Sequence, residues 1–186
     1  RIITALILII GISSAILFLP EFWFAVIIFL ATSLACLELY SIVGVERFVF
    51  RIAFAFIYLF ICLSGFLSGI DIIPLLYFSL ALWLIAFLVV AYYPKGSSWL
   101  KNRVFAGVLG SLLLAGAAYS VVKIRGLDDG VFWLFWLFVL TTSVDAGGYF
   151  VGRKYGERPL AARVSPGKTI EGLGGGLLFA TLICGL

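Results

Sequence analysis

FWFAVIIFLATSLACLELYSI, residues 22–42, decides the fold. Twenty-one residues carry a single charge, Glu38. At about 1.5 Å per residue, a helix of this length crosses the ~30 Å hydrocarbon core of a bilayer. Similar apolar runs with at most one charge recur on both sides of it. They occupy 2–19, 48–67, 72–92, 104–122 and 131–150, and a further run begins near Thr169. No run alternates with period two, and a backbone in lipid must satisfy its own hydrogen bonds, so the runs read as helices. The expected architecture is an all-α, polytopic transmembrane bundle, with six complete spans, a truncated seventh and a single transmembrane domain over 1–186.

Composition agrees. The chain is 64% hydrophobic and 12% charged, against about 45–50% and 25% in soluble domains. Arg1 followed by an apolar run invites a signal-peptide reading. The run is too long for one, however, and no small-residue cleavage site follows, so the first span is read as retained. Cys36, Cys62 and Cys184 all lie in apolar runs and read as buried thiols rather than a disulfide framework. There is no histidine, which removes the commonest general base and the usual zinc ligand. The chain opens on Arg1, lacks methionine and ends inside an apolar run, so a fragment of a longer protein is expected.

The charges give the orientation. Eleven of the thirteen basic residues fall on one side: Arg1, Arg47, Arg51, Lys95, Lys101, Arg103, Arg153, Lys154, Arg158, Arg163 and Lys168. Lys123 and Arg125 alone fall on the other, beside Asp128 and Asp129. The positive-inside rule then places the N-terminus and the basic loops in the cytoplasm. The net charge of +4 is thus a topology signal, and no nucleic-acid partner is expected. Aromatic residues at span ends, such as Trp23, Tyr92, Tyr93, Trp99 and Trp133, read as interfacial anchors.

Two acids lie inside spans. Asp145 is about 21 Å and Glu38 about 24 Å from the outer ends of their helices, at similar depth in the cytoplasmic third. An acid in a span costs about 2.5–3.5 kcal/mol at the centre and usually faces a functional interior. Glu171 adds a third acid at the start of the last run. Three acids at one rim could hold a divalent cation or equally orient lysines and arginines; Asp145 and Glu38 could also reach the interface and pair with Arg47, Arg51 or Arg153. Gly148, Gly152 and Gly156 share a helix face if the helix runs past Phe150, which suits close helix packing as well as a ligand.

Between them lies a basic loop ending in Ser165-Pro-Gly-Lys-Thr169. It is not a phosphate-binding P-loop, because Ala162 occupies the position of the required first glycine and a membrane helix, not a strand, precedes it. Ser165 and Pro166 are expected to turn the chain, Gly167 to free the backbone, Lys168 to project a cation and Thr169 to cap the next helix. The free N–H groups of that helix suit a phosphate. A positive-inside loop attracting anionic lipid explains the same charges.

The ordered combination of Asp145-Ala-Gly-Gly-Tyr, Gly152, Gly156 and Ser165-Pro-Gly-Lys-Thr-x-Glu-Gly resembles the phosphatidate cytidylyltransferase, or CDP-diacylglycerol synthase, family. Ala35-Cys-Leu-Glu38-Leu with Gly44 looks like that family's acid in the second helix. The resemblance implies an enzyme of phospholipid biosynthesis. It would join CTP to phosphatidic acid with Mg²⁺ at the cytoplasmic face of a bacterial-type inner membrane, giving CDP-diacylglycerol and pyrophosphate. It implies Lys168 and Asp145 as catalytic residues. Ser165, Gly167, Thr169 and Arg163 would bind substrate, and Asp145, Glu171 and Glu38 would be the metal candidates. It allows a homodimer, whose interface no residue pattern fixes. The family's further C-terminal signature, with its Lys-Arg, His-Gly-Gly and paired aspartates, is not in these residues, so the chain alone is expected to be inactive. A CTP-dependent polyprenol or phytol kinase is the nearest alternative. A transporter component using Asp145 and Glu38 as an ion pathway is the alternative of another class, against which stands the lack of two related halves.

Overall fold

The computed structural model describes residues 2–94 and 102–185. Arg1, Lys95, Trp99 and Lys101, to which the sequence reading gave roles, lie outside the described residues. The elements in order are α1 (Ile2–Phe18), α2 (Glu21–Ile42), α3 (Phe48–Leu67), α4 (Ile73–Ala91), α5 (Arg103–Arg125), α6 (Gly130–Tyr155), β1 (Pro159–Ala161), β2 (Ser165–Thr169) and α7 (Ile170–Cys184). Five of them, α2 to α6, are long and apolar enough to cross a membrane. The 17 residues of α1 stand at the lower limit of a spanning helix, and the 15 of α7 fall below it. This is an all-α, multi-pass membrane architecture.

The helices group into two compact units, residues 1–86 with 98–131, and residues 87–97 with 132–186. In the first, α2 packs on α3 and α5 around Ala25, Phe29, Cys36, Tyr58, Cys62, Ala118, Tyr119 and Val122. Phe29 meets Tyr119 edge to face at 5.0 Å. Glycines on α5 admit the neighbours: Gly107 lies under the Tyr40 ring, Gly110 under Leu39 and Gly116 under Ser79. Polar groups in this apolar core mostly find partners, although the buried Tyr58 hydroxyl has none among the described residues. The Tyr119 hydroxyl donates to the Cys62 carbonyl at 2.7 Å, and Tyr40 and Cys36 both meet the Ser111 hydroxyl.

Helix α2 ends where Gly44 takes φ +89°. Gly44 N–H donates to Ser41 and Val45 N–H to Tyr40, the paired bonds that close a helix end on a left-handed glycine. Two cations of the basic loops then serve this turn: Arg51 donates to the Val45 carbonyl and Arg103 to that of Gly44 at 3.0 Å. Arg125, at the end of α5, donates to the Ile16 and Leu19 carbonyls that α1 leaves open. Loop charge is here also structural, satisfying helix C-termini as well as setting topology.

Candidate functional site

The second unit is built on two glycine faces. Helix α6 runs to Tyr155, five residues past the expected end, which puts Gly148 and Gly152 one turn apart on a single face. Opposite them on α7 stand Gly172 and Gly176 at the same spacing. A Cβ on Gly172 would lie 2.9 Å from the Gly148 carbonyl oxygen and 3.2 Å from the Gly152 Cα. The helices therefore cross backbone to backbone, as small-x-x-x-small faces permit in lipid. Gly147 and Gly175 tighten the crossing: a Cβ on Gly175 would meet Val151 Cβ at 2.4 Å.

The chain between α6 and α7 departs from the expected turn. Residues 159–169 form an antiparallel hairpin, with Pro159 opposite Thr169 and Ala161 opposite Ser165. Ser165-Pro-Gly-Lys-Thr169 is its second strand, and the reversal falls at 162–164, closed by Val164 N–H on the Ala161 carbonyl at 2.9 Å. Pro166 is tolerated because a two-stranded ribbon is all edge. Strands of three and five residues carry no alternation for a sequence reading to detect.

Glu171 anchors this hairpin. Its carboxylate accepts from Arg158 Nε at 2.8 Å and from the backbone N–H groups of Glu157 and Arg158 at 3.2 Å. It stands in the first turn of α7, ahead of the apolar stretch. The Arg158 guanidinium first, with the backbone donors, holds its carboxyl at about 2, well below the usual range. Thr169 caps α7 as expected, its Oγ1 accepting from Gly172 N–H at 3.1 Å. The expectation that α7 offers free N–H groups needs correction: Gly172 N–H is engaged by this cap, and Ile170 N–H donates to the Arg158 carbonyl at 2.9 Å.

Beside the glycine crossing, a cavity of about 810 Å³ opens between α6, the hairpin and α7. Of the residues predicted from sequence it gathers Asp145, Gly167, Lys168 and Thr169, and the glycines 148, 152, 172 and 176 line it too. Ser165, in register with Ala161, and Arg163, in the hairpin turn, do not line it. Nor does Glu171, whose oxygens are held by Arg158 and the backbone N–H groups of Glu157 and Arg158. Glu38 lies on α2 in the first unit. Asp145 makes no ion pair: among the described residues the one such pair is Arg158–Glu171.

The sequence does not single out Tyr149 as a site residue, and it offers Arg153 as loop charge or as an ion-pair partner of the acids in the spans. Both line the cavity, and Arg153 Nη1 donates to Tyr149 Oη at 2.6 Å. A signal was present: Asp145, Tyr149 and Arg153 recur at i, i+4 and i+8, one face of α6. Val144, Leu160, Leu173 and Leu177 complete the lining, and Leu173 and Leu177 are exposed along α7. The cavity thus joins a cationic rim to an apolar flank, a shape suited to an anionic amphiphile at a membrane surface.

A multi-pass membrane protein with an anion-suited cavity at a basic hairpin is the class that the fold and site define. The chain belongs to the cytidylyltransferase family, which it matches over residues 1–186. It is similar to the phosphatidate cytidylyltransferase of Haemophilus influenzae, at 29% identity over 98% of this chain and 70% of the relative. It is 32% identical to that of Pseudomonas aeruginosa, over 95% of this chain and 65% of the relative. A shorter match to the Mycobacterium leprae phosphatidate cytidylyltransferase, 42% identical over 88 residues, covers 47% of this chain and 28% of the relative. No solved structure matches.

Proposed function

We propose that the protein transfers the cytidylyl group of CTP to phosphatidic acid, releasing pyrophosphate and forming CDP-diacylglycerol. The observation that carries this reading is one cavity in which Asp145, Lys168 and Thr169 meet an apolar flank. The lipid phosphate is already anionic at neutral pH, so it needs little help from a base. One of its oxygens attacks the α-phosphorus of CTP, the bond from that phosphorus to the bridging oxygen of the β-phosphate breaks, and pyrophosphate leaves with the electron pair. The barrier is the meeting of anions, and fixed cations lower it by electrostatic stabilisation and positioning. Lys168 serves as such a cation, and the Thr169 hydroxyl, which accepts in the cap, retains its proton to donate to a phosphate oxygen.

Mg²⁺ fits this chemistry. It is commonly bound by one or two carboxylates, substrate phosphates and water. Asp145 is the carboxylate that the described cavity offers it, and the ion would neutralise charge on the phosphates. Glu171 is a weaker candidate, since it already binds Arg158, and the expected gathering of three acids including Glu38 is not found among the described residues. Eleven basic residues on one side support a cytoplasmic cavity in a bacterial-type inner membrane.

The test uses the full-length protein in detergent with phosphatidic acid, labelled CTP and Mg²⁺. CDP-diacylglycerol from the wild type, with large losses in Lys168→Ala and Asp145→Asn, supports the reading and the site. Unchanged activity in both variants keeps the enzyme and removes the site. CTP turnover with a prenol but not with phosphatidic acid moves the protein to the lipid kinases, and no CTP turnover returns it to the transporter reading.

A further inference from the structure

The structure sorts the five cations of the hairpin region. Arg158 is neutralised by Glu171 at 2.8 Å. Lys154 stacks over the Tyr155 ring, its Nζ 5.1 Å from the centroid. Arg163 lies in the hairpin turn. Only Arg153 and Lys168 line the cavity, Arg153 from the last turn of α6 and Lys168 from β2.

Arg153 differs from Lys168 in being aimed. Its Nη1 donates to Tyr149 Oη at 2.6 Å, and its Cζ lies 5.8 Å from the centroid of the Tyr149 ring. Two contacts to one neighbour restrict a side chain that otherwise has many rotamers. Tyr149 is neutral, so the arrangement fixes the guanidinium without cancelling its charge. A guanidinium has five N–H donors in a planar fork, and no carboxylate among the described residues takes any of those on Arg153. Asp145, two turns down the same helix, is about 12 Å away along the axis. The aimed fork offers several convergent donors at the cavity rim, which is the chemistry of a phosphoryl group.

We propose that Arg153 is a substrate-binding residue for a phosphoryl group in the cavity that it lines together with Lys168, and that Tyr149 is the positioning residue that aims it. This deepens the proposed function and rests on it. The phosphoryl group has two possible sources, the monoester of the lipid and the triphosphate of CTP.

The test is steady-state kinetics on the full-length protein. CTP is varied at saturating phosphatidic acid, and the surface fraction of phosphatidic acid is varied at saturating CTP. Arg153→Gln raises one of the two KM values about tenfold or more, and the substrate whose KM rises is the source. Arg153→Lys, which keeps the charge but loses the fork, falls between wild type and Arg153→Gln. Tyr149→Phe raises the same KM by less, and adds nothing when combined with Arg153→Gln, because its effect passes through the arginine. A thermal midpoint matching wild type shows that Arg153→Gln is folded; if it is not, Arg153→Lys carries the comparison. Binding of labelled CTP, and of nanodiscs with phosphatidic acid against phosphatidylcholine alone, is read in parallel without turnover. If the wild type makes no CDP-diacylglycerol, the proposed function fails while the binding loss in Arg153→Gln still decides this assignment. KM and binding values within twofold of wild type for both substrates, or full additivity of Tyr149→Phe, overturn it.

Discussion

The glycine crossing predicts opposite outcomes for two adjacent substitutions. A Cβ on Gly174 has nothing within 4 Å, whereas one on Gly175 meets Val151 Cβ at 2.4 Å and the Gly147 carbonyl oxygen at 2.8 Å. Both are helical, so Gly→Ala brings each the same propensity gain of up to about 1 kcal/mol. Gly175→Ala must also open a carbon–carbon contact to roughly 3.5 Å, a separation of about 1 Å. Val151 Cβ sits directly on the backbone, so no side-chain rotation relieves the contact and the helices themselves must part. Overpacking of this kind costs about 3 kcal/mol at its upper end. For a protein of this size that is a gap of roughly 6–12 °C between the two variants. The same displacement carries Thr169 and Lys168 away from Asp145 and Arg153, and a shift of about 1 Å at a reacting centre can cost about 100-fold in rate. The assay heats full-length variants in mild detergent, follows the folded fraction by fluorescence-detected size exclusion, and measures CDP-diacylglycerol synthesis well below either midpoint. Equal midpoints and equal activity for Gly174→Ala and Gly175→Ala would refute the backbone-to-backbone crossing.

Four further outcomes follow from particular positions. Glu171→Gln removes the charge that holds Arg158, so trypsin should cut faster within the hairpin, at Arg163 and Lys168, while the helices stay protected; an unchanged rate means the Glu171–Arg158 pair does not hold the hairpin. Because the Glu171 carboxyl is lowered from 4.5 to about 2, its stabilisation is complete above its unfolded pKa and lost only as pH falls toward the folded one. Wild-type protection should therefore be flat between about pH 8 and pH 5. Tyr119→Phe loses the buried hydrogen bond to the Cys62 carbonyl and should lower stability by about 0.5–1.5 kcal/mol, read as a midpoint shift of a few degrees. Gly167→Ala should leave the midpoint unchanged, since nothing lies within 4 Å of its Cβ and its φ is not in the left-handed region; a large loss would show that this position in β2 needs glycine after all.

The apolar runs were enough to find the helices. Span 48–67 coincides with α3 and 22–42 with α2 to within a residue, because hydropathy sums over about 20 residues and each helix satisfies its own backbone. The ordered acid, glycine and Ser-Pro-Gly-Lys-Thr residues were enough to mark one region and to carry the family resemblance. Tertiary structure decided what those residues do there. Gly148 and Gly152 became a crossing only because Gly172 and Gly176 face them across 19 intervening residues, 153–171. The hairpin depends on pairing between strands too short to show a period. Five cations that look alike in the chain divide into one neutralised by Glu171, one stacked on Tyr155, one in a turn and two lining the cavity. Charge and period are local properties of a sequence, whereas the partner that cancels or aims a charge is set by which backbones approach closely enough to bring it near.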